Sequence, residues 1–211
     1  MNKTSTLIIF FSLVYSLNIS AQQKQALGIK TGLNLAWQLQ NSETTPIISS
    51  HFTLFTEVQL AKRVFMQPGL SLQGKGVSTK PAVYGGENGR INMLYLEIPI
   101  NLLYKLPMQK GGNILFGGGP YAAMGLKGKE KNGSANVFRG LAGTDGYTNT
   151  DFGVNVIAGI ELRSKLAVSI QQSIGLDNVA PAGSQFTDGA DNLYPAVIKN
   201  RVSSISLGYR F

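Results

Sequence analysis

Eight charged side chains in this 211-residue chain sit where they could act on one another. Glu57, Glu97, Asp151 and Glu161 supply acid; Lys30, Lys105, Arg163 and Arg210 supply base. Each falls on the polar side of a segment that alternates apolar and polar residues. Charges gathered on one face and withdrawn from water must be paired, because an isolated buried ion is expensive. The simplest chemistry is therefore an internal salt-bridge network, with Glu97 facing a lysine or arginine. Such a network could also plug or gate a polar path. Spacing alone does not assign the pairs.

Other chemistry has less support. The chain has one histidine, His51, with Ser49, Ser50 and Thr53 beside it. A Ser-His-acid site is defined by geometry and not by sequence neighbours, and His51 follows a polar stretch with no serine at matched spacing. No catalytic residue is assigned. The absence of cysteine excludes thiolate metal sites and Cys nucleophiles. One histidine cannot build a His metal site, and no carboxylate spacing marks a calcium loop. Gly117-Gly118-Gly119 lacks the Lys-Ser/Thr and the helix of a phosphate loop. No metal and no cofactor is expected.

The elements that would hold these residues are strands. After residue 21 the dominant signal is period two. Leu27, Ile29, Leu33, Leu35, Trp37 and Leu39 share one face of a first segment. Phe52, Leu54, Val58 and Leu60 mark a second, with Phe55 out of pattern; Val64, Met66, Leu70 and Leu72 mark a third, with Phe65 out of pattern. In the fourth, YLEIPINLLYK, Leu96, Ile98, Ile100, Leu102 and Tyr104 oppose Glu97, Pro99, Asn101 and Lys105, and Leu103 is the exception. Four further segments run about 113–126, 151–162, 166–174 and 204–211. Short connections (61–63, 107–112, 163–165) alternate with long polar ones (40–50, 74–91, 127–150, 177–200). Pro99 cannot donate to a ladder, so a bulge or a missing bond is expected beside Glu97.

Composition decides which face meets water. Charged residues are 14% of the chain, against about 25% in ordinary soluble domains. The polar face is built from Gly, Ala, Ser, Asn and Gln with sparse ions, which suits a narrow lumen and not a soluble surface. The apolar face is Leu, Ile, Val and Phe, as lipid contact requires, and a closed barrel pairs all backbone groups internally. We therefore expect an all-β, eight-stranded antiparallel up-and-down transmembrane β-barrel, with Trp37, Tyr104, Tyr209 and Phe211 near strand ends as girdle residues.

The first 21 residues read as a secretory signal: a basic start at Lys3, an apolar run from Thr6 to Leu17, and a small residue at Ala21 before Gln22. The expected domains are 1–21, signal peptide removed near Ala21, and 22–211, barrel. The formal charge of +8 comes from scattered lysines and arginines, and an exported chain is not expected to meet nucleic acid. Lys127-Gly128-Lys129-Glu130-Lys131 and the Asp188–Asn192 region would project outside, toward lipopolysaccharide phosphate or a protein partner.

The end Ile205-Ser206-Leu207-Gly208-Tyr209-Arg210-Phe211 resembles the signal that outer-membrane assembly machinery recognises, carried by Ile205, Leu207, Tyr209 and Phe211. GIKTGLNLAW, FMQPGLSLQGKG, YLEIPINLLYK, ILFGGGPYAAMGLKGK and SLGYRF, in that order over residues 26–211, resemble the PorT-like family of Bacteroidetes outer-membrane β-barrels. The resemblance implies location in the cell outer membrane, contact with outer-membrane lipid and lipopolysaccharide, and secretion-apparatus proteins as further partners. The expected role is non-enzymatic: structural, secretion-assembly or surface-interaction. The alternatives are a lipid-hydrolysing barrel centred on His51 and a pore for small solutes or hydrophobes.

Overall fold

The computed structural model describes residues 25–39, 44–79, 89–109, 111–131, 136–138, 146–181, 183–187 and 193–211. The expected signal segment and the 188–192 region lie outside these. The described chain is built on eight long strands: β1 Gln25–Leu39, β2 Ile47–Ala61, β3 Val64–Thr79, β4 Gly89–Pro107, β5 Asn113–Glu130, β6 Thr150–Glu161, β7 Leu166–Gly175 and β8 Lys199–Arg210. Each pairs antiparallel with its sequence neighbours, and β8 returns to pair with β1 from Gly28↔Arg210 to Leu39↔Lys199. The sheet is a closed eight-stranded barrel. Closure abolishes both edges, so nearly every backbone group can find its partner inside the protein.

The stagger can be read from the pairs. Starting at Gln25 and stepping through Val58, Met66, Leu102, Gly118, Val156, Gln172 and Ser203, the path re-enters β1 at Leu35, ten residues on. A stagger of this size in eight strands tilts them by roughly 35–45° and leaves an interior that side chains can fill. The strand ends at 61 and 64, 107 and 113, and 161 and 166 lie at one end with Gln25 and Phe211, and those at 39 and 47, 79 and 89, 130 and 150, and 175 and 199 lie at the other.

The faces follow the alternation. Along β4, Ile98, Ile100 and Leu102 point outward and are 52%, 45% and 51% exposed, while Glu97, Asn101 and Lys105, on the alternate positions, are 2%, 2% and 4% exposed. Apolar outside and polar inside is the inverse of a soluble barrel and fits a hydrocarbon surround. The three residues out of pattern point inward together: Phe55, Phe65 and Leu103, with Leu115 and Ile157, make an apolar layer inside the barrel.

Strands run further at the outer end than the apolar pattern does. β3 continues through Lys75 to Thr79 and β4 begins at Gly89, where a loop from Gly74 to Ile91 was expected. β2 starts at Ile47, so His51 is well inside a strand, and β5 runs to Glu130, so Lys127 and Lys129 belong to a strand and not to a loop. Above the lipid band the outward face is free to be polar, so the ladder continues while its sequence signal fades.

Pro99 interrupts the wall without shifting register. Pairing between β3 and β4 skips Ile98 and Pro99, then resumes in the same register at Ile100↔Pro68. Pro68 and Pro120 do the same on either side: β2–β3 pairing skips Thr56 and Glu57, and β4–β5 pairing skips Ile100 and Asn101. Three prolines thus place three gaps in a diagonal across four adjacent strands, because each lacks the N–H its neighbour would accept. Register shifts lie elsewhere, between Gln59 and Ala61 in the β2–β3 pairing and between Leu94 and Tyr95, where Leu94 pairs with Lys127 and Tyr95 with Gly125.

Candidate functional site

The inward polar residues occupy three layers. At the short-turn end Lys105 Nζ donates to Glu57 Oε1 at 2.8 Å and to Glu161 Oε2 at 2.6 Å. Arg210 reaches the same two carboxylates, Glu57 Oε1 at 2.8 Å and Glu161 Oε1 at 3.0 Å. Asn113 adds a donor to Glu161 at 3.1 Å, and the Lys105 ammonium lies 4.7 Å from the centre of the Phe65 ring. Two acids meet two bases, so the layer is electrically balanced. The apolar layer of Phe55, Leu103, Leu115 and Ile157 adjoins it and lowers the local dielectric. That strengthens each ion contact and raises the penalty for any charge left over.

Near the outer end a second cluster centres on Lys75, which sequence reasoning missed. Its Nζ lies 3.0 Å from Glu97 Oε2 and 2.9 Å from Asp151 Oδ2. Tyr95 and Tyr121 flank it, with ring centres 4.9 and 4.4 Å from the ammonium. Asn200 Nδ2 donates to Asp151 Oδ2 at 3.0 Å, and Gln38 Nε2 donates to Asn200 Oδ1 at 3.2 Å. Lys75 itself is 1% exposed, and Asp151 is 0% exposed. The cluster has two acids and one base. Lys30 is a further cation on this side: it lines a cavity of about 10 Å³ together with Glu97, and its Nζ is 3.5 Å from Gln171 Oε1.

Between these clusters runs a belt of neutral hydrogen bonds. Asn155 links Asn101 and Ser173, and Thr53 meets Ser71 at 2.7 Å. His51 also sits here. Its Nδ1 is 2.7 Å from Asn34 Oδ1, and its Nε2 is 3.0 Å from Ser206 Oγ. The order Ser206–His51–Asn34 is that of a nucleophile, a base and an orienting group. All three are buried, at 3%, 6% and 2% exposed, and the adjoining cavity of about 10 Å³ has room for one water and not for an ester. The serine that His51 meets is Ser206, on β8, and not Ser49, Ser50 or Thr53.

Of the eight charged residues named from sequence, the structure joins Glu57, Lys105, Glu161 and Arg210 in one network and places Glu97 and Asp151 in the other. Lys30 stands between the two. Arg163 corrects the expectation: β6 ends at Glu161, so Arg163 lies exposed in the turn, with its side chain across Gly111 of the neighbouring turn. The alternation of side-chain direction ends with the last paired residue. Lys75 escaped because Gly74 and Gly76 around it carry no apolar signal. Among the described residues no three His, Asp or Glu side chains could hold a metal ion.

At the outer end the chain packs a further aromatic ring against the inward side chains. Phe138, from the β5–β6 connection, is 6% exposed and packs among Met93, Tyr95, Tyr121 and Ala123. Its ring meets Tyr95 edge-on at 5.2 Å. Gly125 makes room: a Cβ there would lie 2.4 Å from the Phe138 ring.

Residues 20–180 match the family model described as outer membrane protein beta-barrel domain. The chain belongs to that family. Its apolar band therefore faces outer-membrane lipid. Solved structures with a related outline include neisserial surface protein A, at 7% identity over 89% of this chain and 99% of that one, with a TM-score of 0.48. Ail of Yersinia pestis is matched at 8% identity over 89% and 99%, with a TM-score of 0.40. The translocator domain of the autotransporter NalP from Neisseria meningitidis is matched at 12% identity over 99% and 97%, with a TM-score of 0.34. No curated protein matches the chain.

Proposed function

We propose that this barrel is a non-enzymatic, non-conducting wall element of the outer membrane, whose working surface is its outer rim and outer connections. The carrying observation is the filled interior. Ion networks occupy both ends, hydrogen bonds fill the middle, and Phe138 covers the outer cluster. The spaces beside Glu57 and Arg210 and beside His51 and Glu97, about 40 and 10 Å³, are far smaller than a ligand cavity. A barrel spent on internal pairing leaves its outside for work, which supports a structural, secretion-assembly or surface-interaction role of the PorT-like kind, with secretion-apparatus proteins as partners. The same burial disfavours ester hydrolysis at Ser206–His51–Asn34.

On this proposal the chain is exported with residues 1–21 removed near Ala21. Ile205, Leu207, Tyr209 and Phe211, all on the lipid-facing side of β8 or just past its end, guide its insertion by the outer-membrane assembly machinery. Planar-bilayer recording tests the central point: the folded barrel is expected to give no steady conductance, and ohmic channels would overturn the proposal. Outer-membrane fractionation, heat-modifiable gel migration and the mass of the mature N-terminus check the rest.

A further inference from the structure

The bulge at Leu94/Tyr95 reorients the outer end of β5. Below it Met124 and Leu126 are exposed to lipid, 49% and 42%. Across it Lys127 pairs with Leu94 and Lys129 with Asn92, both outward residues of β4, while Gly128 between the lysines turns inward toward Val137 and Met93. Lys127, Lys129, Asn92 and Arg90 are all exposed. Arg90 Nε donates to Asn92 Oδ1 at 3.2 Å, which holds the guanidinium against the strand. Directly opposed residues lie about 5 Å apart and diagonal ones about 7–8 Å, so three cations share one small area. Glu130, the acid on this stretch of β5, pairs with Ile91 and so alternates onto the other face with Gly128, at the strand end where it too is exposed. Like charges held this close repel, and the patch sits immediately above exposed Leu94, Leu126 and Met124, at the level where lipid headgroups begin.

We propose that Arg90, Lys127 and Lys129 form a clamp for the phosphate of an outer-leaflet glycolipid, its acyl chains lying along Leu94, Leu126 and Met124. Phosphate supplies the missing counter-charge, the arginine fork suits its oxygens, and the lysines add point charges. The inference deepens the proposed outer-rim role and rests on it.

The test is native mass spectrometry of the full barrel in mild detergent with bis-phosphorylated lipid A, with its dephosphorylated form, and with phosphatidylglycerol. The wild type is expected to retain the bis-phosphorylated lipid at least tenfold better than either comparison, with the preference shrinking as salt rises. Combined Arg90→Gln, Lys127→Gln and Lys129→Gln should abolish the preference, whereas Arg163→Gln with Lys165→Gln at the opposite end should leave it intact. Equal retention of the phosphorylated and dephosphorylated forms overturns the clamp, as does a preference that survives in the triple variant. Phosphatidylglycerol held equally well, or displacement of the lipid by millimolar inorganic phosphate, also overturns it. Heat-modifiable migration is read on every sample. Its absence in the wild type refutes the barrel role itself, and a folded barrel without the preference refutes only the clamp.

Discussion

Replacing Lys75 by methionine should cost more stability than replacing Lys105, although both lysines bind two carboxylates. Lys105 shares its acids with Arg210, which stays within 2.8 and 3.0 Å of them when the lysine is gone. Lys75 is the sole cation within ion-pair distance of Glu97 and Asp151 among the described residues, and both acids are at most 2% exposed. Breaking a buried pair by removing one partner costs about 3–5 kcal/mol, because an uncompensated charge remains. With a urea slope of roughly 2 kcal/mol/M, Lys75→Met should lower the unfolding midpoint by about 2 M. Lys105→Met should lower it by less than half as much. Adding Asp151→Asn to Lys75→Met removes one stranded charge and should recover part of the loss. Tryptophan fluorescence of Trp37 during urea unfolding in liposomes reads these midpoints. Equal midpoints for Lys75→Met and Lys105→Met, or no recovery in the double variant, would refute the view that charge imbalance governs the outer cluster.

Three further outcomes are expected. Gly119→Val should weaken the wall by about 1–3 kcal/mol or more, since a Cβ there would sit 2.0 Å from the Ile100 carbonyl oxygen; a heat-modifiable band as resistant as wild type would contradict this. Hydrogen exchange should be faster at Leu70 and Asn101, beside the proline gaps, than at Leu72 and Tyr104 in the same strands; uniform protection would show the gaps are bridged. His51→Ala should cost about 1–3 kcal/mol, because Ser206 and Asn34 each lose a buried partner. It should leave cell lipid composition unchanged, and altered acyl chains would revive a hydrolase.

What the sequence made legible was what lipid imposes. Ile98, Ile100 and Leu102 must be apolar because they meet hydrocarbon, so period two survives along β4, and the inward positions of Glu57, Glu97, Lys105, Asp151 and Glu161 follow by subtraction. Interior packing obeys no such rule. Phe55, Phe65 and Leu103 looked like errors in three separate strands, and only the stagger of the closed sheet shows them meeting in one layer. Lys75 and Phe138 were hidden for a different reason: both lie beyond the lipid band, where nothing enforces alternation. Arg163 shows the opposite failure, a period continued past the residue at which pairing stops. The expected signal segment, 1–21, and the 188–192 region lie outside the described residues.

The four members of the balanced network come one each from β2, β4, β6 and β8, with an intervening strand between every bonded pair. No hairpin of this chain can therefore form any of those contacts by itself. They come into being only when the sheet has curled far enough for alternate strands to face one another, which makes them a cross-brace against flattening. β8 thus has two readers. Its outer side shows Ile205, Leu207 and Tyr209 to the surroundings, and its inner side brings Arg210 to acids on β2 and β6. The strand that joins last in sequence is also the one that locks the ring.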